Sequence, residues 1–182
     1  MKKIFFTLLI ISLGFWGCSD DTNLTGPEKI DAQKSFLKVL PNSSISLMKK
    51  SVSEKINGEL GGLIPINLES VNEEYGAKGW LYFPRESFDG TETISVTIAN
   101  DIAACDFGPS GIQLDSPARL TLKFNGVEFN GDDDDEIDFQ YIDSNRGLAT
   151  VDYRKLIVNK NQGWVIVIDA KLDHFSRYGF TK

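Results

Sequence analysis

The stretch Trp164-Val-Ile-Val-Ile-Asp-Ala-Lys-Leu-Asp-His-Phe-Ser-Arg-Tyr-Gly-Phe180 decides the fold class of this chain. It contains the longest apolar run outside the N-terminus, and the turn residues Asn161-Gln-Gly163 come directly before it. This pattern predicts a strand over Trp164–Ile168 and a closing strand over Ala170–Phe180. The same stretch carries the only histidine of the chain, within the sequence His174-Phe175-Ser176.

Short strand-like runs continue upstream of that stretch as far as Ser51. Glycine, proline, asparagine and aspartate separate them, and no segment after Ser51 keeps a period of 3.6 residues. Roughly ten short strands at such spacing are typical of a sandwich or barrel, and we predict an all-β antiparallel sandwich. Pro65 indicates that its strand lies at a sheet edge. The other predicted strands are Val52–Ile56, Leu63–Leu68, Gly79–Phe83, Glu92–Ala99, Ala103–Phe107, Ala118–Phe124, Ile137–Ile142, Ala149–Tyr153 and Lys155–Asn159.

The charge of the chain argues against nucleic acid as a partner. The 182 residues carry a net charge of -7, and removal of residues 1–17 would take away Lys2 and Lys3 and leave -9. A strongly acidic body repels both nucleic acid and anionic lipid surfaces.

The N-terminus has the composition of an export signal. Met1-Lys2-Lys3 is followed by a nearly apolar run from Ile4 to Trp16, then Gly17, Cys18 and the polar residues Ser19-Asp-Asp-Thr-Asn23. The apolar run is shorter than the roughly 20 residues that a spanning helix needs. The whole segment resembles the bacterial lipoprotein signal, in which the cysteine is lipidated and becomes the mature N-terminus.

The lipoprotein resemblance implies a signal peptide over 1–17 and acyl chains such as palmitate on Cys18. Ser19 after the cysteine implies the outer membrane, and the acidic start resembles the export signal of surface-exposed lipoproteins. An ordinary secretory cleavage is the alternative. Residues 18–50 are predicted to be a tether and residues 51–182 the folded domain. Within the tether, Thr25–Glu28 either caps a short helix with the apolar stripe Ile30, Leu37 and Leu40, or belongs to an extended linker.

Five short motifs follow one another in the body of the chain. In order they are Leu81-Tyr-Phe-Pro84, Ser87-Phe-Asp-Gly90, Thr93-Ile-Ser-Val-Thr-Ile98, Phe107-Gly-Pro-Ser-Gly111-Ile112 and Ser116-Pro-Ala-Arg-Leu-Thr-Leu122. This order resembles the ZU-type β-sandwich, which is named for a zonula occludens protein and netrin receptors and also occurs in ankyrins. The resemblance covers about Ser51 to Phe180. Similar bacterial domains end in His-Phe-Ser followed by an aromatic residue, as Tyr178 follows here.

The ZU-type resemblance also implies a candidate activity at His174-Phe175-Ser176. Relatives of this sandwich, the animal FIIND domains among them, and a nucleoporin autoprotease cut their own chain between this phenylalanine and serine. The resemblance implies Ser176 as nucleophile, His174 as general base and Phe175 as acyl donor. The alternative is that these residues only pack and form hydrogen bonds in the closing strand.

The run Asp132-Asp133-Asp134-Asp135-Glu136 offers the hard oxygen ligands that Ca²⁺ prefers. A calcium-dependent adhesion module is therefore one candidate function. The run lacks the glycine that an EF-hand has at its sixth place, where Ile137 stands, so a solvated turn between Phe129 and Ile137 is the alternative.

Eleven aromatic residues of the body have two interpretations. They form either a sugar-binding platform or the packed core, and alternation along the strands favours the core. Cys105 is predicted to be a buried apolar residue rather than a reactive thiol. The aromatic residues are Trp80, Tyr82, Phe83, Phe88, Phe107, Phe124, Phe129, Phe139, Tyr141, Tyr153 and Trp164.

The sequence as a whole predicts a lipid-anchored module of the cell envelope that binds a partner or has a structural role. The predicted partners are the membrane, through the lipid at Cys18, and a protein or glycan that the sequence does not identify. No nucleophile–base–acid set, cysteine–histidine metal spacing or phosphate loop is present. Self-cleavage is therefore the one enzymatic candidate, and calcium is the one candidate cofactor.

Overall fold

The computed structural model describes residues 36–39, 50–70, 74–129, 137–143 and 147–182, without the side chains of residues 142 and 143. Within these residues the chain forms eleven β-strands and a short 3₁₀ helix, Lys160–Gln162. The strands are β1 (Ser51–Asn57), β2 (Gly62–Glu69), β3 (Gly76–Phe83), β4 (Thr91–Ile98), β5 (Ala104–Gly108), β6 (Gln113–Asn125), β7 (Asp138–Asp143), β8 (Gly147–Thr150), β9 (Lys155–Asn159), β10 (Trp164–His174) and β11 (Arg177–Thr181).

The strands form two antiparallel sheets, and the apolar core lies where their inner faces meet. One sheet has six strands in the order β1-β4-β5-β11-β7-β8, and the other has five in the order β2-β3-β6-β10-β9. The chain is an all-β sandwich, so the predicted fold class is confirmed. In the described residues, no helix has the length and apolar character that crossing a membrane requires.

Alternation along each strand explains which side chains enter the core. In β4 the apolar residues Ile94, Val96 and Ile98 are all buried, while the residues between them face outward at least in part. This is the period of two that one buried face of a sheet imposes. Pro65 lies in β2, the edge strand of the five-stranded sheet, as its missing backbone donor predicts.

The predicted break between Ile168 and Ala170 is wrong, because β10 continues through this point as a bulge. The pairing register with β6 shifts between Val167 and Ala170, and Asp169 adopts a left-handed φ of 60°. The amide of Asp169 donates a hydrogen bond to the Thr121 hydroxyl oxygen at 3.2 Å. A side chain of the neighbouring strand therefore satisfies the backbone group that the bulge removes from the ladder. The chain breaks later, between β10 and β11.

The short segment Phe36–Val39 belongs to the folded body. Leu37 and Val39 are buried, and the Leu37 amide donates to the carbonyl oxygen of Phe180 at 2.7 Å. Isolated bridges also join this segment to residues far along the chain, among them Phe36 to Thr181. The predicted tether over residues 18–50 includes this segment, so its boundary needs correction: alternating apolar residues here cover the core, and Leu37 is extended rather than part of a helical stripe.

Candidate functional site

The motif His174-Phe175-Ser176 lies at the bend between β10 and β11. His174 is the last residue of β10, and β11 begins at Arg177. Phe175 is buried and packs edge-on against Phe83, with ring centroids 6.0 Å apart. The carbonyl oxygen of Ser176 accepts a hydrogen bond from the Phe107 amide at 3.0 Å. The Phe175–Ser176 peptide therefore sits outside the strands but is held on both sides.

Two tyrosines surround the imidazole of His174. Its ring centroid lies 4.7 Å from that of Tyr141 and 5.9 Å from that of Tyr178. The Tyr178 hydroxyl donates to the His174 carbonyl oxygen at 2.9 Å and lies 3.4 Å from its Nδ1. Burial raises the pKa of Tyr178, so this hydroxyl stays protonated and keeps donating. The His174 ring therefore lies between two tyrosine rings at the bend, and its backbone carbonyl oxygen accepts a hydrogen bond from one of them.

A small cavity of about 230 Å³ opens beside His174. Tyr141 and Tyr178 line it, together with the ion pair between Lys171 and Asp152. The hydrogen bond from Lys171 lowers the pKa of the Asp152 carboxyl, which keeps it ionised. The cavity is smaller than the roughly 300–1,000 Å³ of ordinary small-molecule pockets. The structure therefore offers little room for an external substrate here.

The strand that follows the motif lies inside the six-stranded sheet. β11 pairs with β5 on one side and with β7 on the other. Arg177 also forms a forked ion pair with Asp106 of β5, with N–O distances of 2.7 and 2.9 Å. A cut before Ser176 would leave residues 176–182 paired on both sides, so a folded cleaved chain would keep its final segment.

The prediction that the aromatic residues form the core is confirmed for most phenylalanines and wrong for two residues of β3. Trp80 and Tyr82 are 48% and 45% exposed, whereas their neighbours Leu81 and Phe83 are fully buried. The run Gly79–Phe83 alternates, and strict use of that alternation would have separated the two sets. The phenylalanines that are buried are Phe83, Phe88, Phe107, Phe124 and Phe139.

Trp80 and Tyr82 belong to a broad surface on the outer face of the five-stranded sheet. Tyr82 lies opposite Leu63, itself 53% exposed, and Trp80 lies opposite Pro65. Side chains directly opposite each other on antiparallel strands share a face. We call this outer face the platform and define it by Leu63, Trp80, Tyr82, Arg119, Lys123 and Trp164.

One end of the platform leads into an open groove of about 890 Å³. The ammonium of Lys123 lies 5.1 Å from the ring centroid of Trp164. Glu69 binds two neighbours there: Lys78 at 3.2 Å and the Asn125 amide, which donates at 2.8 Å. The groove thus combines an aromatic ring with an ordered set of donors and acceptors.

Two further predicted sites lie outside the described residues, and one lies in the core. The lipidation residue Cys18 and the candidate calcium ligands Asp132, Asp133, Asp134, Asp135 and Glu136 are not among the residues that the structure describes. In the described part of the chain, no group of three metal-ligating side chains could hold an ion. Cys105 is fully buried, and burial raises the pKa of its thiol, as expected of an unreactive core residue.

No protein-family model matches this chain, and no curated protein matches it in sequence.

Proposed function

We propose that this chain is a lipid-anchored β-sandwich of a bacterial cell envelope that binds a protein or glycan partner on the platform. One observation carries the proposal: Trp80 and Tyr82 lie on the outer face of the five-stranded sheet, and nearly half of each side chain is exposed to water. An exposed apolar patch rimmed by polar groups marks interaction surfaces, and tryptophan and tyrosine dominate their energetics.

The proposed anchor rests on the sequence. Lipid on Cys18 would attach the chain to the outer membrane, with the sandwich facing the cell surface or the periplasm. Residues 18–35 would then form the tether, which at roughly 3.3–3.6 Å per residue reaches at most about 65 Å. This reach allows the sandwich to turn the platform toward envelope polymers. The calcium-dependent alternative depends on Asp132–Glu136 and draws its support from the sequence alone.

Binding through the platform predicts that the double variant Trp80→Ala/Tyr82→Ala loses envelope binding by at least about tenfold, since exposed aromatic anchors carry much of an interface's free energy. The assay is retention of the full chain, purified in detergent, on immobilised envelope material from which lipid has been extracted. Protease treatment of that material tests for a protein partner, and periodate oxidation tests for a glycan.

The matched control for this experiment is Leu60→Ala. Leu60 is 65% exposed in the turn between β1 and β2 and is not part of the platform. The free energy of unfolding of the control and of the double variant should each lie within about 0.5 kcal/mol of that of the unchanged chain, because surface substitutions alter stability little. Retention that is equal in the double variant and the unchanged chain would refute binding through the platform.

The second candidate function is self-cleavage between Phe175 and Ser176. The observation in its favour is that this peptide lies at the bend between β10 and β11, outside both strand ladders and adjacent to His174. The hydroxyl of Ser176 would attack the Phe175 carbonyl carbon while His174 takes the hydroxyl proton. The Phe175–Ser176 C–N bond would break, the Ser176 nitrogen would receive that proton as a free amine, and water would hydrolyse the resulting ester to a carboxylate and the regenerated hydroxyl.

The mass of the denatured chain distinguishes this candidate from simple packing at the bend. If binding is the whole function, we expect one species at full mass, because the bend residues are then structural. Self-cleavage instead gives a loss equal to Ser176–Lys182 that is absent in Ser176→Ala. Denaturation is essential, since β11 would otherwise remain paired in the sheet.

A further inference from the structure

Basic side chains stand among the exposed aromatic rings of the platform. Arg119 lies opposite Tyr82 on the adjacent strand, and Lys171 lies opposite Arg119 on the next one. In another row, Lys78 lies opposite Lys123. Residues that face each other in this way have Cβ atoms about 4.5–5.5 Å apart. A ligand that touches the aromatic rings would therefore also meet the cations.

The charge of this face is opposite in sign to that of the chain. The chain carries a net charge of -7. In the rows from Lys171 to Trp164, together with the groups bound to them, five basic residues stand against three acidic ones. These are Lys78, Arg119, Lys123, Lys155 and Lys171 against Glu69, Asp152 and Asp169. The adjoining groove is lined by Glu69, Glu74 and Glu128 as well as by Lys78, Lys123 and Lys160, so the positive excess belongs to the platform rows and not to the groove. A locally basic face on an acidic protein is complementary to an anionic ligand.

Lys123 and Lys155 are the cations of this face that form no salt bridge with any described residue, and Lys123 is the one that lies beside an aromatic ring. The other three basic residues of the face are each paired with a carboxylate. The contact of Lys123 with the Trp164 ring holds the ammonium at the surface without neutralising its charge. An anionic group beside Trp164 would meet this charge directly.

The dimensions of the platform favour a polymer over a small molecule. Trp80 lies opposite Thr121, and Trp164 lies opposite Asn125. The two tryptophans are therefore two strands and four residues apart. At about 3.3 Å per residue and about 4.8 Å between strands, this separation is roughly 16 Å. The open groove beyond it adds a further 890 Å³, so one ligand would have to span several units to contact both rings.

We propose that the platform binds an acidic polysaccharide, one whose sugar rings carry carboxylates; the inference rests on the proposed binding function. The C–H faces of the sugar rings stack on Trp80 and Tyr82. The carboxylates pair with Lys123 and with the rest of the basic face. A chain of linked rings provides both kinds of group at a regular interval, which a single sugar or a simple anion does not.

The test uses the full chain in detergent micelles and a set of polymers that includes one polysaccharide pair matched in everything but the charge of its carboxyl groups. Polygalacturonate, alginate and hyaluronate are the acidic probes, and fully methyl-esterified polygalacturonate is the neutral match. Single-stranded oligothymidine is a polyanion without linked pyranose rings or carboxylates. Titration calorimetry should show binding to at least one acidic probe. For polygalacturonate, esterification should weaken binding by about tenfold, and raising the salt concentration should weaken it further.

Two variants locate the binding. Lys123→Gln should weaken binding by about threefold to fivefold, and Trp80→Ala/Tyr82→Ala should abolish it, whereas Lys55→Gln, an exposed lysine of β1 on the other sheet, should change nothing. No binding to any acidic probe, or equal binding to oligothymidine, would overturn the inference. If polygalacturonate and its methyl ester bind equally well, charge is not required. The inference of an acidic ligand would then be overturned, and the platform would be a site for neutral glycans. If the Trp80→Ala/Tyr82→Ala variant binds as tightly as the unchanged chain, the proposed function is overturned.

Discussion

Replacement of Phe180 by alanine is expected to lower the free energy of unfolding by about 3–5 kcal/mol. Phe180 is completely buried in β11, inside the six-stranded sheet. Its ring packs against Phe139 at a centroid distance of 5.0 Å and against Phe124, across the core, at 6.1 Å. Alanine would remove these contacts and leave a cavity between the two sheets. The packed neighbours on both sides cannot collapse to fill such a cavity completely.

Urea unfolding followed by tryptophan fluorescence measures this effect. Leu60→Ala is the control, because it removes an apolar side chain that is 65% exposed and so creates no cavity. The control should change the free energy of unfolding by less than about 0.5 kcal/mol. If Phe180→Ala costs no more than the control, β11 does not lie in the core, and the assigned sheet order is wrong.

The substitution Gly79→Ala is expected to cost about 1–3 kcal/mol, since it forces two backbones apart. Gly79 lies in β3 opposite Leu122 of β6. A methyl group on Gly79 would overlap the carbonyl oxygen of Thr121 and come within 3.1 Å of the Leu122 Cα. Both atoms belong to the backbone of a central strand, so no change of rotamer relieves the contact.

Gly62→Ala is the matched control for this second prediction. Gly62 belongs to β2 in the same sheet, and a methyl group there would come within 2.9 Å of the Ile56 Cδ1. That atom is the end of a flexible side chain, which can move aside at little cost. Urea unfolding should therefore rank Gly79→Ala clearly below Gly62→Ala in stability. Equal losses would show that β3 and β6 do not approach so closely, and this would also weaken the assigned geometry of the platform.

The sequence predicted the strands well where a period of two was regular and failed where contacts distant in sequence decided the geometry. β9 was predicted with its observed bounds, and β4 was displaced by one residue at each end. The break predicted after Ile168 was wrong because Asp169 forms its compensating hydrogen bond with Thr121, 48 residues away. The position of Leu37 is fixed in the same way by a backbone hydrogen bond to Phe180, far along the chain. Neither partner can be identified from the local pattern.

For the candidate site, too, the sequence indicated the residues and contacts distant in sequence decided their surroundings. The sequence alone singles out His174-Phe175-Ser176, but its bend, and the contacts of His174 with Tyr141 and Tyr178, come from the pairing of β11 with β7. For the aromatic residues, the sequence favoured the core as a group. Alternation along β3 places Trp80 and Tyr82 on one face and Leu81 and Phe83 on the other, but it does not say which of the two faces meets the second sheet.

The sequence by itself determined the all-β class of this protein, most strand positions and which residues of a strand share a face, because a pleated strand turns alternate side chains to opposite sides. Tertiary structure alone decided which of the two faces is buried and which strands become neighbours. The resulting order of the strands places the Lys123 ammonium over the Trp164 ring and Trp80 opposite Pro65. They depend on how side chains from strands far apart in the chain pack into one core, and no local pattern contains that information.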